Sequence, residues 1–497
     1  MAGHDWREHV FAMLVTDRFD DGDPSNNGLN GPLSPGDPDG VQGGDLAGIE
    51  RRLPYLRDMG ITAIWITPVQ TNLPGSYHGY WIRDFLTVDP RLGTMDDLRR
   101  LIARAHDHGI AVFLDIVCNH TGPMSQPVGG RHAWNDDGYQ LAWRDSTVLP
   151  SPAFFRNLDI YHKHGDVREW RDPWQILGEL PGGLDDLATE RADVRTTLIE
   201  IWIWWMEQTG CDGFRVDTVK HVEIDFWYEF LAAVRRRAKE IGRPDFFIFG
   251  EVFEFDDAFC AKYTHADASG RRGFDAVLNF SLSGSIRNVF AEGRSVGDLA
   301  RSIRNLGVYD AATRGRLLTF VDNHDIPRFL HLAGGDESRL SRALTLLFAL
   351  EGIPIVYYGT EQGFRGGRSD GENREPMFMR RSVDDPVTKD HFDATSPLYQ
   401  LIARLSAARA AQPVLQHGAM TIERVDETGG LLVLRREHGG RAAFVVVNVS
   451  DTVRDVQLPS MRRLRHWLDG TTTLPCGVHH CIDVPAHAVD VWIEELP

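Results

Sequence analysis

The chain has 497 residues, 42% of them hydrophobic, 25% charged and 10% aromatic, and 53 Lys and Arg against 71 Asp and Glu give a net charge of −18. That composition suits a globular protein with a full core and excludes fibrous, collagen-like and wholly disordered chains. The negative charge argues against a sequence-independent grip on nucleic acid or anionic lipid, and suits a neutral substrate or a bound cation. The five cysteines are few and odd in number, which argues against a disulfide framework. The opening MAGHDWREHVFAMLVTDRFDD has no basic segment leading into a long apolar one, and no stretch approaches the ~18 apolar residues of a membrane span. The expectation is a cytoplasmic protein, monomer or homodimer, with no nucleic-acid or membrane partner.

Short apolar runs recur at 9–15, 63–68, 111–117, 213–217, 246–251, 275–280, 317–323 and 354–359. Continuous Val/Ile/Phe/Leu runs of this kind are what strands buried on both faces look like. Between them lie amphipathic stretches such as 96–105, 195–208, 225–241 and 338–350, with glycine stops at Gly60, Gly109, Gly210 and Gly242. Strand–helix units in this rhythm predict an α/β fold, a parallel (β/α)8 TIM barrel. The alternative is a doubly wound open sheet, but no Gly-x-Gly-x-x-Gly turn follows the first strand. From 119 to 188 the rhythm gives way to Gly, Pro, Asp and Trp, which predicts an inserted, loop-rich B domain after the third strand. Period-two runs at 431–436, 442–448, 454–458 and 489–493 predict a C-terminal antiparallel β domain, a small sandwich. The predicted boundaries are 1–118 and 189–410 for the barrel, 119–188 for the insert and 411–497 for the last domain.

In such barrels the chemistry sits at the C-terminal ends of the strands. Several runs end in acids or polar clusters: FLDIVCNH (Asp115, Asn119, His120), GFRVD (Arg215, Asp217), FIFGE (Glu251) and FVDNHD (Asp322, Asn323, His324, Asp325). Any one alone reads as a solvated loop acid or a helix cap. Four in register bring the carboxylates into one cup. Arg215 and Asp217 share a strand face, so the guanidinium holds the carboxylate ionised, as a nucleophile requires. Glu251 follows an apolar FIFG, a setting that raises a carboxyl toward use as an acid. Tips of adjacent strands lie ~4.8 Å apart, close to the ~5–5.5 Å between the carboxyls of retaining glycosidases.

FLDIVCNH, GFRVDTVKHV, FGEVF and FVDNHD together resemble, in order, the four signature regions of the α-amylase superfamily of glycoside hydrolases. SYHGYWIRDF, GITAIWITP and GIPIVYYGTEQG add to the resemblance, which runs from about residue 8 to the end. It implies Asp217 as nucleophile, Glu251 as general acid/base and Asp325 as the third carboxylate. Arg215, His324, His120 and Tyr80 are implied around the cleaved sugar, Lys220 and His221 on the leaving-group side, and Asp370 and Arg374 on sugars further away. A surface salt bridge is the plain alternative for the last pair. The implied substrates are maltooligosaccharides, starch-like α-glucans or cyclic dextrins, cut at α-1,4 bonds with retention. A transglycosylase or an exo-acting α-glucosidase would use the same acids. A non-catalytic binding or scaffold relative would have lost acids that this chain keeps.

TDRFDDGDPSNNG gathers oxygen donors after the first strand, and calcium wants six to eight of them. Asp21, Asp23, Asn26 and Asn27, with Gly43 and Asp45 of GGD, resemble a calcium site of cyclodextrin glucanotransferases and related amylases; the alternative is an Asp/Asn turn without an ion. The family's other calcium is matched by Asn119, Asp186 and the carbonyl of His221, although GGLDDLA departs from the usual pattern there. CGVHHC at 476–481 lacks paired Cys-x-x-Cys spacing, and no zinc is expected on it. No organic cofactor is expected. The aromatics Trp134, Trp143, Phe154, Phe155, Trp170 and Trp174 read as a mixture of local core and sugar-stacking surface.

Overall fold

The eight apolar runs become eight parallel strands: β1 (Phe11–Leu14), β2 (Ala63–Ile66), β3 (Ala111–Ile116), β4 (Gly213–Val216), β5 (Phe247–Gly250), β6 (Ala276–Val277), β7 (Leu318–Thr319) and β8 (Ile353–Tyr357). The computed structural model describes residues 5–380, 382 and 385–495. The strands pair in the order β6-β5-β4-β3-β2-β1-β8-β7, and a parallel bridge between Leu278 and Leu318 closes the sheet into a barrel. All strand residues are buried, because helices cover the outside and side chains fill the inside. Phe11, Phe113 and Phe249 meet within the barrel at ring separations of 4.9–6.0 Å, and Trp6 seals the floor against Phe113 and Phe247. The barrel is a packed core.

The covering helices include α1 (Leu46–Asp58), α2 (Met95–Asp107), α3 (Ala192–Thr209), α4 (Ile224–Glu240), α5 (Phe280–Phe290), α6 (Val296–Asn305), α7 (Glu337–Ala349) and α8 (Pro397–Ala410). Thr94 and Asp97 form a capping box that starts α2, and Gly210, with φ 72°, ends α3 in the left-handed conformation. Residues 119–188 leave the barrel after β3 as short strands and 3-10 turns. Pairing of His120–Thr121 with Asp185–Asp186 ties the start of this excursion to its end, directly above β3.

The C-terminal region forms β9 (Ala419–Asp426), β10 (Leu431–His438), β11 (Arg441–Asn448), β12 (Arg454–Leu458), β13 (Leu464–His466), β14 (Thr472–Thr473), β15 (His480–Val484) and β16 (Ala488–Glu494). A six-stranded antiparallel sheet, β9-β10-β11-β16-β13-β14, faces the β12–β15 pair across a core that includes Val433, Phe444, Val456, Leu458, Ile482 and Val484. The runs expected at 431–436, 442–448, 454–458 and 489–493 become β10, β11, β12 and β16, but β10 and β11 are buried on both faces rather than alternating with solvent, one face in the sandwich core and the other in the main core. β9 lies at the sheet edge with Met420 its one buried residue, so it carries no such signal. Two buried arginines brace this junction: Arg436 of β10 docks the sheet on the barrel, and Arg409 of α8 ties that helix to the end of α7. Arg436 donates to the carbonyls of Ala349, Leu415 and Gly418, and Arg409 to those of Phe348, Leu350 and Gly352. Both serve carbonyls at the C-terminal end of α7, where cations are favoured.

Candidate active site

The register of β4 on β5 sets Val216 opposite Gly250, so Asp217 and Glu251 leave neighbouring strand tips side by side. Arg215, wholly buried, spans them. Its Nη1 donates to Asp217 Oδ1 at 2.7 Å, and its Nη2 lies 3.0 Å from Glu251 Oε2. Thr218 turns left-handed at φ 49°, and its backbone N–H donates to Glu251 Oε2 at 2.9 Å. Asp115, at the end of β3, accepts from Arg215 Nη1 through both oxygens at 2.9 Å, and also from Trp65 and the Tyr80 hydroxyl. One cation thus serves three buried carboxylates.

Burial pushes the Asp217 carboxyl up to about 6, with Arg215 pulling down and the Asp115 and Asp325 charges pushing up. That outcome differs from an acid held low by its arginine, because desolvation outweighs the ion pair. Glu251 goes further, to about 8, through burial, opposed by Arg215 and reinforced by Asp217 and Asp325. The two carboxyls therefore part. Near neutral pH the cup holds one ionised acid beside one protonated acid, the division that acid/nucleophile chemistry needs.

Asp325 faces them from beyond β7, its carboxyl raised by burial and lowered by Arg374 and Arg215. Its Oδ2 lies 3.3 Å from His324 Nε2, which also meets the Tyr80 hydroxyl at 2.8 Å. Burial and the Arg374 and Arg215 charges keep the His324 ring neutral, and the Tyr80 ring stacks on it at 5.6 Å. His120 is buried, its Nε2 3.2 Å from the Tyr80 carbonyl. Lys220 donates to the Phe253 carbonyl at 2.7 Å, and His221 Nδ1 meets the Ile176 carbonyl at 2.7 Å, which joins the strand tip to the excursion.

Asp217, Glu251, Asp325, Arg215, His324 and Tyr80 thus form one contact network, with His120 joined through Tyr80. Lys220 and His221 stand on the turn that follows Asp217. Arg374 is placed differently from a remote sugar contact. It is buried, donates to the His324 carbonyl and the Tyr77 hydroxyl, and approaches Asp325 Oδ1 at 3.4 Å. Asp370, 71% exposed at its side chain, stands 3.8 Å from Arg374. The sequence places Asp115 among the strand-end acids without giving it a role, and gives none to Trp65 or Tyr77.

The Asp21–Asn27 loop fits a cation. Asp21 Oδ1, Asn26 Oδ1 and Asn27 Oδ1 are buried oxygens without a hydrogen-bond partner, and a Cβ built on Gly43 would lie 2.3 Å from Asn27 Oδ1. Hard oxygens left unpaired in this way suit calcium. Asp45 is engaged elsewhere, since its oxygens accept from the N–H groups of Gly22, Asp23 and Gly48 and from the Asn26 amide, capping α1. Asp23 turns its carboxylate to Ser25, and Arg380 contacts Asp21 Oδ2. The second calcium set does not fit. Asp186 Oδ2 meets His162 Nδ1 at 2.5 Å, and although burial opposes charge on that ring, Asp186 and Glu190 push it up to about 10. That contact takes up one oxygen of the carboxylate that would bind the ion. Of the two side chains in the set, Asn119 and Asp186, only Asp186 leaves a buried oxygen, Oδ1, without a partner.

A filled eight-stranded barrel with paired carboxyls at its C-terminal rim defines the glycosidase class of α/β barrels. Residues 13–400 match the family model for the alpha amylase catalytic domain, and the chain belongs to the alpha-amylase family of glycoside hydrolases. It is 36% identical over 461 residues to a beta/alpha-amylase of Paenibacillus polymyxa, covering 90% of this chain and 34% of the relative. It is 33% identical over 459 residues to an alpha-amylase of Streptomyces lividans, covering 80% and 49%. The chain therefore spans between a third and a half of these relatives' lengths. The crystal structure of alpha-amylase from Geobacillus thermoleovorans complexed with acarbose superposes with a TM-score of 0.81 at 30% identity, over 99% of this chain and 100% of that one. Among the described residues no helix is long and apolar enough to cross a membrane.

Proposed function

We propose that this chain hydrolyses α-1,4-glucosidic bonds of maltooligosaccharides and starch-like α-glucans by double displacement. The observation that carries the reading is the Asp217–Arg215–Glu251 arrangement, in which one guanidinium holds two neighbouring carboxyls whose proton affinities are set apart. Asp217 attacks the anomeric carbon as Glu251 gives its proton to the leaving oxygen, which yields a glycosyl ester and a free sugar end. Glu251, now ionised, takes a proton from water as that water displaces Asp217, and both acids return to their starting states. Asp325 binds sugar hydroxyls and favours the distorted ring. Arg374 supports this as a positioning residue that holds Asp325, and Asp370 is the member of that pair free to meet a sugar.

Tyr80 stacks beneath the reacting sugar while His324, His120 and Arg215 frame it. Lys220 and His221 line the leaving-group side. Asp21, Asn26 and Asn27 would hold a calcium ion, whose charge would order the loop after β1. That a structural relative is complexed with acarbose supports a carbohydrate ligand for this chain. Transfer to a sugar instead of water uses the same steps with a different acceptor. A time course on maltoheptaose tests the reading: α-configured products at first release are expected by NMR, and β-anomers at first release would overturn retention. Dominant products longer than the substrate would favour the transglycosylase.

A further inference from the structure

We propose that His132, Asp166 and Glu179 form a binding site for a divalent transition-metal ion such as zinc, at the neck of the loop that carries Trp170 and Trp174. The site lies in the excursion, apart from the acids of the barrel rim and from the Asp21 loop. Backbone pairing builds it. Parallel bridges join Ala133 to Asp166 and Asp166 to Glu179, the Asp166 N–H donates to the His132 carbonyl at 2.7 Å, and the Val167 N–H donates to the Glu179 carbonyl at 2.8 Å. Three extended segments thus run side by side and bring one ligand atom from each residue to within 4.8 Å of the others.

Two of the converging atoms are left without a hydrogen-bond partner. His132 Nδ1 and Asp166 Oδ1 are buried and make no hydrogen bond. The Glu179 side chain is 6% exposed, faces His132 Nδ1 at 3.9 Å, and meets as donor only the Gly165 backbone. Burial, and then the charges of Asp186, Asp185 and Asp166, push its carboxyl up to about 8. Buried carboxylates that converge without a cation are costly. One imidazole nitrogen with two carboxylate oxygens is a zinc-like donor set that leaves a fourth, open position. Calcium, which wants six to eight oxygens, is poorly served. Ligands ~2.0–2.2 Å from a tetrahedral ion lie closer together than these atoms do, so the three segments draw in on binding.

Arg144 opposes the ion. Its Nη2 lies 3.4 Å from His132 Nε2, so the ring accepts at that edge and carries its proton on Nδ1. Metal binding at Nδ1 moves the proton to Nε2, against the guanidinium. The loop between Asp166 and Glu179 holds the Trp170 ring 5.7 Å from His221, and Ile176 bonded to that histidine. A cation at the neck therefore orders one wall of the cleft.

The test uses the full chain stripped with chelator, then dialysed against buffered zinc, with metal content, Tm and tryptophan fluorescence as readouts. One zinc per chain and a higher Tm are expected. His132→Gln and Glu179→Gln should each weaken uptake at least tenfold, His132→Gln while leaving Tm in chelator unchanged, and Arg144→Gln should tighten it. His132 is a quarter exposed, so its variant decides the matter even where Glu179→Gln fails to fold. Equal zinc uptake by wild type and His132→Gln, or a saturating zinc titration without a Tm change, would overturn the site. None of these readouts depends on glycosidase activity.

Discussion

Asp115→Asn isolates what the acid beneath Arg215 does for the acids above it. Asp115 and Asp217 accept hydrogen bonds from the same Arg215 nitrogen, at 2.9 and 2.7 Å, so their charges lie about 5 Å apart. At an effective dielectric of ~20 that repulsion is about 3 kcal/mol, or roughly two pH units. Solvent relaxation trims the figure, and about one to two units remain. The sign follows from the charge: without Asp115, Asp217 gives up its proton more easily, and Arg215 is free to pair with it more fully. In the proposed mechanism Asp217 acts ionised and Glu251 protonated, so kcat/KM against pH should be a bell with limbs near 6 and 8. In the variant the acid limb should move down by about one to two units. The variant should also lose about 3 kcal/mol in denaturant unfolding, because an arginine loses one of its buried partners. The assay is kcat/KM on an activated maltoside from pH 4 to 9, with stability measured at each pH. An acid limb that stays put or moves up would refute the reasoning.

Glu251→Gln should abolish hydrolysis of natural glucans but retain more activity on substrates with a good leaving group; equal losses on both would count against the acid role. Because the native Glu251 carboxyl is raised above its unfolded value, its contribution to stability is present in acid and lost as pH rises through about 8. The variant's Tm should therefore gain on wild type at pH 9 relative to pH 5, and a constant difference would contradict the raised carboxyl. Arg374→Ala should lower efficiency about ten- to hundred-fold on short and long substrates alike, since it removes a charge-assisted partner of Asp325, whereas Asp370→Ala should affect long substrates alone. EDTA should lower Tm through loss of a native-state ligand, and Asn26→Ala with Asn27→Ala should remove most of that effect. An identical melting curve with and without chelator would make the loop a plain turn.

The strands of the barrel were legible because each is buried on both faces and so reads as a continuous apolar run, and the acids stood out because they end those runs. Helix limits followed from Gly60, Gly109, Gly210 and Gly242, all of which take positive φ. Sequence alone also marked the oxygen-rich loop after β1 and four of the C-terminal strands. What it did not contain is set by neighbours distant along the chain. Asp115 and Arg215 are 100 residues apart and meet only because β3 and β4 are adjacent in the closed sheet. Arg374 turns from cleft to core because Asp325, Tyr77 and the His324 carbonyl converge on it from separate loops. His162 reaches Asp186 only where the excursion folds back on itself. Burial, too, is a tertiary property, and it raises Asp217 against its arginine and sets Glu251 higher still. A local pattern fixes which residues can ionise or bind; the desolvation and long-range pairing that decide how they do so exist only once the barrel has closed around them.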